Sequence, residues 1–158
     1  MKYHIGGCQS CGFADDETLA EVCQRNENLP IDEVINHLEE SAAHDLAIQV
    51  TPEELKQKLE SSAVPRLLDI RSREEFEAVR IDQSELLTPE LQQEAFGSWQ
   101  RDQQVVIIDH VGDRALDVAA FFIGHGLGQT HALMGGIDAY ARDADTSLPR
   151  YEIELSKD

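Results

Sequence analysis

Residues 105–122 have the sequence VVIIDHVGDRALDVAAFF, which carries the clearest structural signal in the chain. The first four residues are β-branched and apolar, as in a buried strand, and the residues from Ala115 onward have the apolar spacing of an amphipathic helix. A strand, a short turn and a helix N-terminus together form a cradle for an anion, because the N–H groups of the turn and the positive end of the helix converge. Gly112 permits the tight turn and Arg114 adds a cation, although an ordinary strand-to-helix connection has the same pattern.

The alternation of strands and helices extends over most of the chain. Apolar runs predict strands at residues 46–50, 66–70, 105–108 and 130–134, and helical patterns lie at 52–61, 115–125 and 137–142. Thr51 is the expected N-cap of the first of these helices. Between residues 74 and 104 the pattern predicts short helices and loops without a clear strand. The fold class that follows is α/β, a parallel sheet flanked by helices.

A different pattern occupies the N-terminal part, where the apolar residues recur at helical spacing. Asp15 or Asp16 is the expected cap of a first helix, on which Leu19, Val22 and Cys23 share a face. Pro30 suits the start of a second helix, whose apolar residues are Ile31, Val34, Ile35 and Leu38. We therefore predict a helical hairpin over residues 1–45 and an α/β domain over 46–158. Two short helices bury little surface, so we expect the hairpin to pack on the rest of the chain, on a second copy or on a partner protein.

Composition excludes several classes of partner. The chain has 158 residues, with 31 Asp and Glu against 13 Lys and Arg, and its formal net charge is −18. This charge disfavours nucleic acid and favours a basic protein partner. The longest apolar run, residues 118–123, is far shorter than the roughly 20 residues that a membrane span needs, and the N-terminus lacks an apolar signal core. We expect a cytoplasmic protein without a membrane partner.

Two further motifs accompany the strand-turn-helix stretch, in the same order as in a known family. They are LLDIRSREEF, residues 67–76, and LMGGIDAYARDADTSLPRY, residues 133–151. Together the three motifs resemble the rhodanese-like family over roughly residues 46–151. The resemblance implies a rhodanese-like parallel sheet and a sulfurtransferase site at the loop that begins with Asp109. It also implies that Asp69 and Arg71 support that loop.

The chain departs from this family at the centre of the loop. Rhodaneses carry a catalytic cysteine at the first loop position, which takes up sulfur as a persulfide, whereas this position is Asp109 here. A carboxylate is a hard nucleophile with no stable persulfide analogue, so ordinary turnover at this loop should be absent. The family's Gly-His-Ile-Pro-Gly-Ala run, which follows the acidic helix, is also reduced to Val79-Arg80-Ile81. The degenerate loop comprises Asp109, His110, Val111, Gly112, Asp113 and Arg114.

We predict that Asp109 fills its own pocket. Its carboxylate can accept the N–H bonds of the loop and pair with the side chain of Arg114, while His110 can hydrogen-bond a ligand or Asp109 itself. The competing hypothesis is an aspartyl nucleophile for phosphoryl transfer, with Asp113 as the second carboxylate. It is disfavoured because Val111 stands where the second acid of an Asp-x-Asp pair would be.

All three cysteines lie in the first 23 residues. Cys8 and Cys11 have the C-x-x-C spacing of a thiol switch ahead of a helix, and they are the expected redox thiols. The same pair is also compatible with half of a zinc or iron-sulfur site that includes Cys23 and His4, although Cys23 suits a core position better. Residues 8–40 resemble the small redox-disulfide domains associated with hybrid-cluster proteins and the N-terminal domain of iron-sulfur-cluster repair proteins. We expect that no cofactor is required.

Three functions are consistent with the sequence. The preferred one is a non-catalytic rhodanese-like module fused to a thiol pair, with a redox- or sulfur-related binding or regulatory role. The second is a sulfurtransferase that carries the persulfide on Cys8 or Cys11. The third is an adaptor whose cysteines hold zinc or an iron-sulfur cluster, where three cysteines per chain favour a site shared between copies.

Overall fold

The computed structural model describes residues 16–25 and 29–151. The chain divides into two compact units, residues 1–46 and 47–158. The helices are α1 (Leu19–Arg25), α2 (Ile31–Ala47), α3 (Pro52–Leu59), α4 (Arg73–Ala78), α5 (Pro89–Ser98), α6 (Asp113–Gly124) and α7 (Gly136–Asp143). The strands are β1 (Gln49–Val50), β2 (Arg66–Asp69), β3 (Ser84–Leu86), β4 (Val105–Ile108) and β5 (Thr130–Leu133). In the described part of the first unit, both helices lie where the sequence predicts them.

The cap and the apolar face of the N-terminal helices differ from the prediction. Thr18, rather than Asp16, precedes α1: its hydroxyl accepts from the backbone N–H of Glu21 at 3.3 Å, and the Glu21 carboxylate accepts from the backbone N–H of Thr18 at 2.8 Å. This reciprocal pair satisfies two N–H groups that Asp16 is too far back to reach. On α2 only Val34 is buried, while the other apolar residues, Ile31, Ile35 and Leu38, are exposed.

The second unit is a five-stranded parallel sheet in the order β1-β5-β4-β2-β3. This arrangement confirms the predicted α/β class. All five strands therefore end at the same edge of the sheet, and the loops that follow β2, β4 and β5 meet there.

Local signals explain most of the element boundaries. Thr51 caps α3 as predicted, in a capping box with Glu54. The predicted strand at residues 46–50 is wrong in its first half, because α2 continues to Ala47 and only Gln49–Val50 pairs with β5. The strand β3 lies where the pattern predicts only short helices and loops, because its three half-buried residues at an edge of the sheet include a single apolar one, Leu86. The loop predicted at residues 109–114 is shorter in the structure, since α6 begins at Asp113.

The apolar residues of the sheet alternate between two cores. Leu67, Val106 and Ile108 pack on one face, with residues of α3 and α7. Leu68, Val105 and Ile107 pack on the other face, with residues of α5 and α6. Because both faces are covered, β4 is apolar at every position, which is typical of a central parallel strand. A helix long and apolar enough to cross a membrane is not found among residues 16–25 and 29–151.

Two neighbouring phenylalanines test the core on the α6 side of the sheet. Phe122 is fully buried, whereas Phe121 is 45% exposed. We expect Phe122→Ala to lower the free energy of unfolding by about 3–5 kcal/mol, because it loses apolar burial and leaves a cavity. Phe121→Ala, the matched control, should cost less than half as much. Urea unfolding followed by circular dichroism measures both values, and equal losses would contradict the assignment of the core.

Candidate functional site

The carboxylate of Asp109 lies inside the turn between β4 and α6. One carboxylate oxygen, Oδ1, accepts from the backbone N–H of Gly112 at 2.6 Å. The other, Oδ2, accepts from the backbone N–H groups of Arg114 at 2.8 Å and Ala115 at 3.3 Å. Asp109 is only 4% exposed, and two of its three donors belong to the first turn of α6, where the helix dipole favours a negative charge. The carboxylate thus occupies the position that an anion would take in the cradle.

The predicted pairing of Asp109 with the Arg114 side chain is not formed. No ion pair within 4.0 Å joins these two residues, and Arg114 is an exposed residue. The reason is geometric: Arg114 lies in the first turn of α6, and its backbone N–H, rather than its side chain, points at the carboxylate. The carboxylate already has three donors, so the side chain is not needed inside the turn.

Three glycines allow the turn after β4 to approach the turn after β5. Gly112, Gly135 and Gly136 have positive φ angles of 97°, 69° and 60°. A Cβ atom on Gly136 would overlap the backbone carbonyl of His110. The backbone carbonyl oxygens of Asp109 and His110 accept from the N–H groups of Ile137 at 2.9 Å and Asp138 at 3.1 Å. The N-terminus of α7 therefore holds the Asp109 turn through backbone hydrogen bonds.

Asp69 and Arg71 form a buried ion pair at the end of β2. The Arg71 Nη2 atom lies 2.7 Å from Asp69 Oδ2, and Nε donates to Oδ1 at 3.0 Å. The Arg71 Nη2 atom also donates to the backbone carbonyl of Val79 at 2.7 Å. Burial by itself would lower the pKa of Arg71, but the hydrogen bonds and negative charge of Asp69 raise it above its ordinary value. Removal of either partner would leave a buried charge uncompensated.

Tyr151 and Glu75, which the sequence reasoning missed, complete this network. The Tyr151 hydroxyl accepts from Arg71 Nη1 at 2.6 Å and donates to Glu75 Oε1 at 2.9 Å. Glu75 also closes a capping box with Ser72 at the start of α4. Burial raises the pKa of Tyr151, the hydrogen bond from Arg71 lowers it, and the bond to Glu75 raises it, with a net increase. The only available sequence signals were the Ser-x-x-Glu spacing and the Pro-Arg-Tyr segment.

His110 packs against Tyr151 instead of bonding to Asp109. The two ring centroids are 4.6 Å apart, with an interplanar angle of 47°. The ring nitrogen Nδ1 of His110 is buried and has no hydrogen-bond partner among the described residues. The predicted hydrogen bond to Asp109 is therefore not formed through this nitrogen. Tyr151 covers the imidazole, so the ring contributes to the wall of the site.

The predicted loop and the Arg71 network share one small cavity. Its volume is about 200 Å³, and its lining residues are Arg71, Glu75, Asp109, His110, Val111, Asp113 and Arg114. The structure thus brings together most of the predicted loop with the supporting Arg71, while Asp69 lies behind Arg71 as its ion-pair partner. Two arginines and three carboxylates are among the lining residues, so side chains of both charge signs border the cavity.

Residues 51–143 match the sequence profile of the rhodanese-like domain family. The chain belongs to this family. Its fold is similar to that of a rhodanese-like domain protein from Staphylococcus aureus, with 23% identity and a TM-score of 0.53 over 66% of this chain and 98% of that one. A rhodanese-like domain from Anabaena has 18% identity and a TM-score of 0.55 over 68% and 88% of the two chains. No curated protein matches the chain.

A human single-domain sulfurtransferase also has a similar fold. It has 20% identity and a TM-score of 0.54, and the match covers 61% of this chain and 96% of that one. At these identities the likeness concerns the fold. The rhodanese-like resemblance that the three sequence motifs indicated is confirmed by the family match.

Of the three cysteines, Cys23 alone lies within the described residues, and its buried position confirms the core role that its helical face predicts. Cys8, Cys11 and His4 lie outside the described residues. Cys23, on α1, is a free thiol and is 2% exposed. Within residues 16–25 and 29–151, no group of three or more His, Cys, Asp and Glu residues is arranged to hold a metal ion. The redox pair and the zinc or iron-sulfur site therefore stay predictions.

The contact between the two turns predicts that alanine substitutions at Gly136 and Gly97 change the free energy of unfolding by different amounts. Gly136→Ala should lower the free energy of unfolding by more than about 2 kcal/mol, because its Cβ overlaps the His110 carbonyl and its φ is positive. Gly97→Ala is the control: a Cβ atom there meets nothing within 4 Å, and alanine favours the α5 helix by up to about 1 kcal/mol. Chemical denaturation measures both changes. A neutral Gly136→Ala variant would refute the close approach.

The lowered pKa of Glu75 predicts that the protein loses stability in acid. Partial burial would raise its pKa, but hydrogen bonds from Ser72 and Tyr151 and the charge of Arg71 outweigh burial and lower it below the ordinary 4.5. The unfolded chain therefore binds this proton more readily, so the stabilisation is present above about pH 4.5 and disappears as pH falls through the folded pKa. The difference in unfolding free energy between wild type and Glu75→Gln should shrink from about pH 6 to about pH 3. A difference that is independent of pH would contradict this linkage.

Proposed function

We propose that this rhodanese-like domain takes up no sulfur on its strand-to-helix loop and acts as a binding module, joined to the thiols Cys8 and Cys11 in a redox- or sulfur-related role. The observation that supports this proposal is the Asp109 carboxylate, which accepts from the N–H groups of Gly112, Arg114 and Ala115. In the rhodanese family a cysteine stands at the first loop position. Here the backbone N–H groups that would stabilise a sulfur anion already donate to the carboxylate of Asp109.

The chemistry of the side chain points the same way. A thiolate is polarisable and can hold a second sulfur atom, whereas a carboxylate oxygen forms no stable persulfide analogue. Asp109 is also 4% exposed, so a sulfur donor would have to displace it before reaching the turn. That displacement would leave three N–H groups without their acceptor, each of which costs about 1–3 kcal/mol when it is buried.

The side chain of Arg114 supports a binding role. Arg114 is an exposed residue, and its guanidinium makes no hydrogen bond or ion pair with any described residue, although the whole chain has a net charge of −18. It borders the 200 Å³ cavity and a second cavity of about 390 Å³. The second cavity is lined by Ile70, Leu87, Thr88, Pro89, Gln92, Gln93, Arg114 and Val118. A ligand or partner with an anionic group beside an apolar one would fit Arg114 and this second cavity.

Sulfurtransferase assays with thiosulfate and with mercaptopyruvate test the proposal. We expect no turnover by wild type, and measurable turnover by Asp109→Cys, because the new thiolate would face the same N–H donors. Asp113→Cys is the matched control, since Asp113 is an exposed aspartate in the same turn and its cysteine would lack those donors. It should stay inactive.

A Cys8→Ser, Cys11→Ser double variant separates the proposal from its alternatives. Wild-type turnover that disappears in this variant would overturn the proposal in favour of a sulfurtransferase with an N-terminal persulfide carrier. Stoichiometric zinc or iron in the purified wild type that is lost in the double variant would favour the metal-binding adaptor. Equal turnover by Asp113→Cys and Asp109→Cys would show that the turn contributes nothing.

A further inference from the structure

One face of α2 carries a stripe of exposed apolar side chains. Ile31 and Ile35 are each 37% exposed, Leu38 is 51% exposed and Leu46 is 62% exposed, and Ala42 lies between the last two. Positions 31, 35, 38, 42 and 46 fall within a narrow arc of a helix with 3.6 residues per turn, so they form one line about 22 Å long. Val34, which is 1% exposed, lies to one side of this stripe. Four of the eight exposed large hydrophobic residues in the described part of the chain belong to the stripe.

The charges on α2 have one sign. The helix contains five acidic residues and no lysine or arginine. Asp32 and Glu39, both exposed, are seven residues apart and therefore lie on the same edge of the stripe. Glu40 lies on the opposite side of the helix from the stripe. The apolar stripe thus has a negative border.

We propose that this stripe is a docking surface for a basic, amphipathic helical segment of a partner protein. The apolar line matches the i, i+4 and i+7 anchors of a helix that packs side by side with α2, and the acidic border matches lysines or arginines beside those anchors. A second copy of the chain is disfavoured, because two α2 helices packed stripe to stripe would bring Asp32 and Glu39 of both copies to one interface between molecules of charge −18. The acidic residues of α2 therefore favour a basic partner, and the apolar residues of the stripe would contact its apolar face. This inference is independent of the Asp109 turn.

A synthetic peptide of about 14 residues tests this proposal, because at 1.5 Å per residue it spans most of the stripe. The probe has leucines on one helical face and lysines elsewhere, and its binding to the full chain is followed by fluorescence anisotropy. We expect saturable binding that weakens as salt rises from about 50 mM to about 500 mM, because screening reduces attraction between exposed charges. Leu38→Glu should weaken binding at least about 10-fold although it adds negative charge, because it removes an apolar anchor.

Glu39 and Glu40 give a matched pair with the same change in net charge. Glu39→Lys, on the border of the stripe, should weaken binding about 5-fold, while Glu40→Lys, on the opposite side, should change it less than about 2-fold. Both residues are exposed, so these variants should keep the wild-type circular dichroism spectrum. If Leu38→Glu disturbs the fold, the comparison of Glu39→Lys with Glu40→Lys still tests the proposal.

Several outcomes would overturn the proposal. Equal effects of Glu39→Lys and Glu40→Lys, or tighter binding by Leu38→Glu, would show attraction by net charge alone. A leucine and glutamate peptide that binds as well as the lysine peptide would refute the charge argument. A wild-type dimer in sedimentation that Leu38→Glu dissociates would show that a second copy covers the stripe.

Discussion

The three hydrogen bonds to the Asp109 carboxylate tie a strand end, a turn and a helix start into one rigid piece. The backbone N–H groups of Gly112, Arg114 and Ala115 would otherwise lack a partner at the N-terminus of α6, and a carboxylate satisfies them more strongly than a neutral acceptor. The carboxylate in turn needs these donors, because burial of an unpaired anion is very costly. The turn is therefore stable only as a unit.

Two sets of contacts surround this turn: backbone hydrogen bonds from α7 and the side-chain network of Arg71. The glycines after β5 let the N-terminus of α7 donate to the turn's own carbonyl groups. On the other side Arg71 connects Asp69, the Val79 carbonyl and Tyr151, so that the end of β2, the segment after α4 and residue 151 are held together. A cavity of about 200 Å³ remains between the Asp109 turn and the side chains of Arg71 and Glu75. Its walls are set by contacts that do not depend on a bound ligand.

Much of the fold could be predicted because its signals are local. The apolar runs of β2, β4 and β5 and the cap at Thr51 lie within single elements, and each was predicted close to its observed position. The strand β3 was missed because a half-buried edge strand of three residues, only one of them apolar, has no apolar pattern. At the site, Glu75 and Tyr151 were missed because they are 76 residues apart, and neither motif indicates that their side chains meet.

What the sequence by itself determined is the strand, the turn and the helix around Asp109, since the carboxylate and its three donors lie within seven consecutive residues. Only the tertiary structure decided that the Arg114 side chain stays outside the turn, that His110 packs on Tyr151, and that most of the apolar face of α2 is exposed. These features depend on which distant elements meet and on the direction in which each side chain leaves its helix. Local propensity and spacing do not specify either quantity.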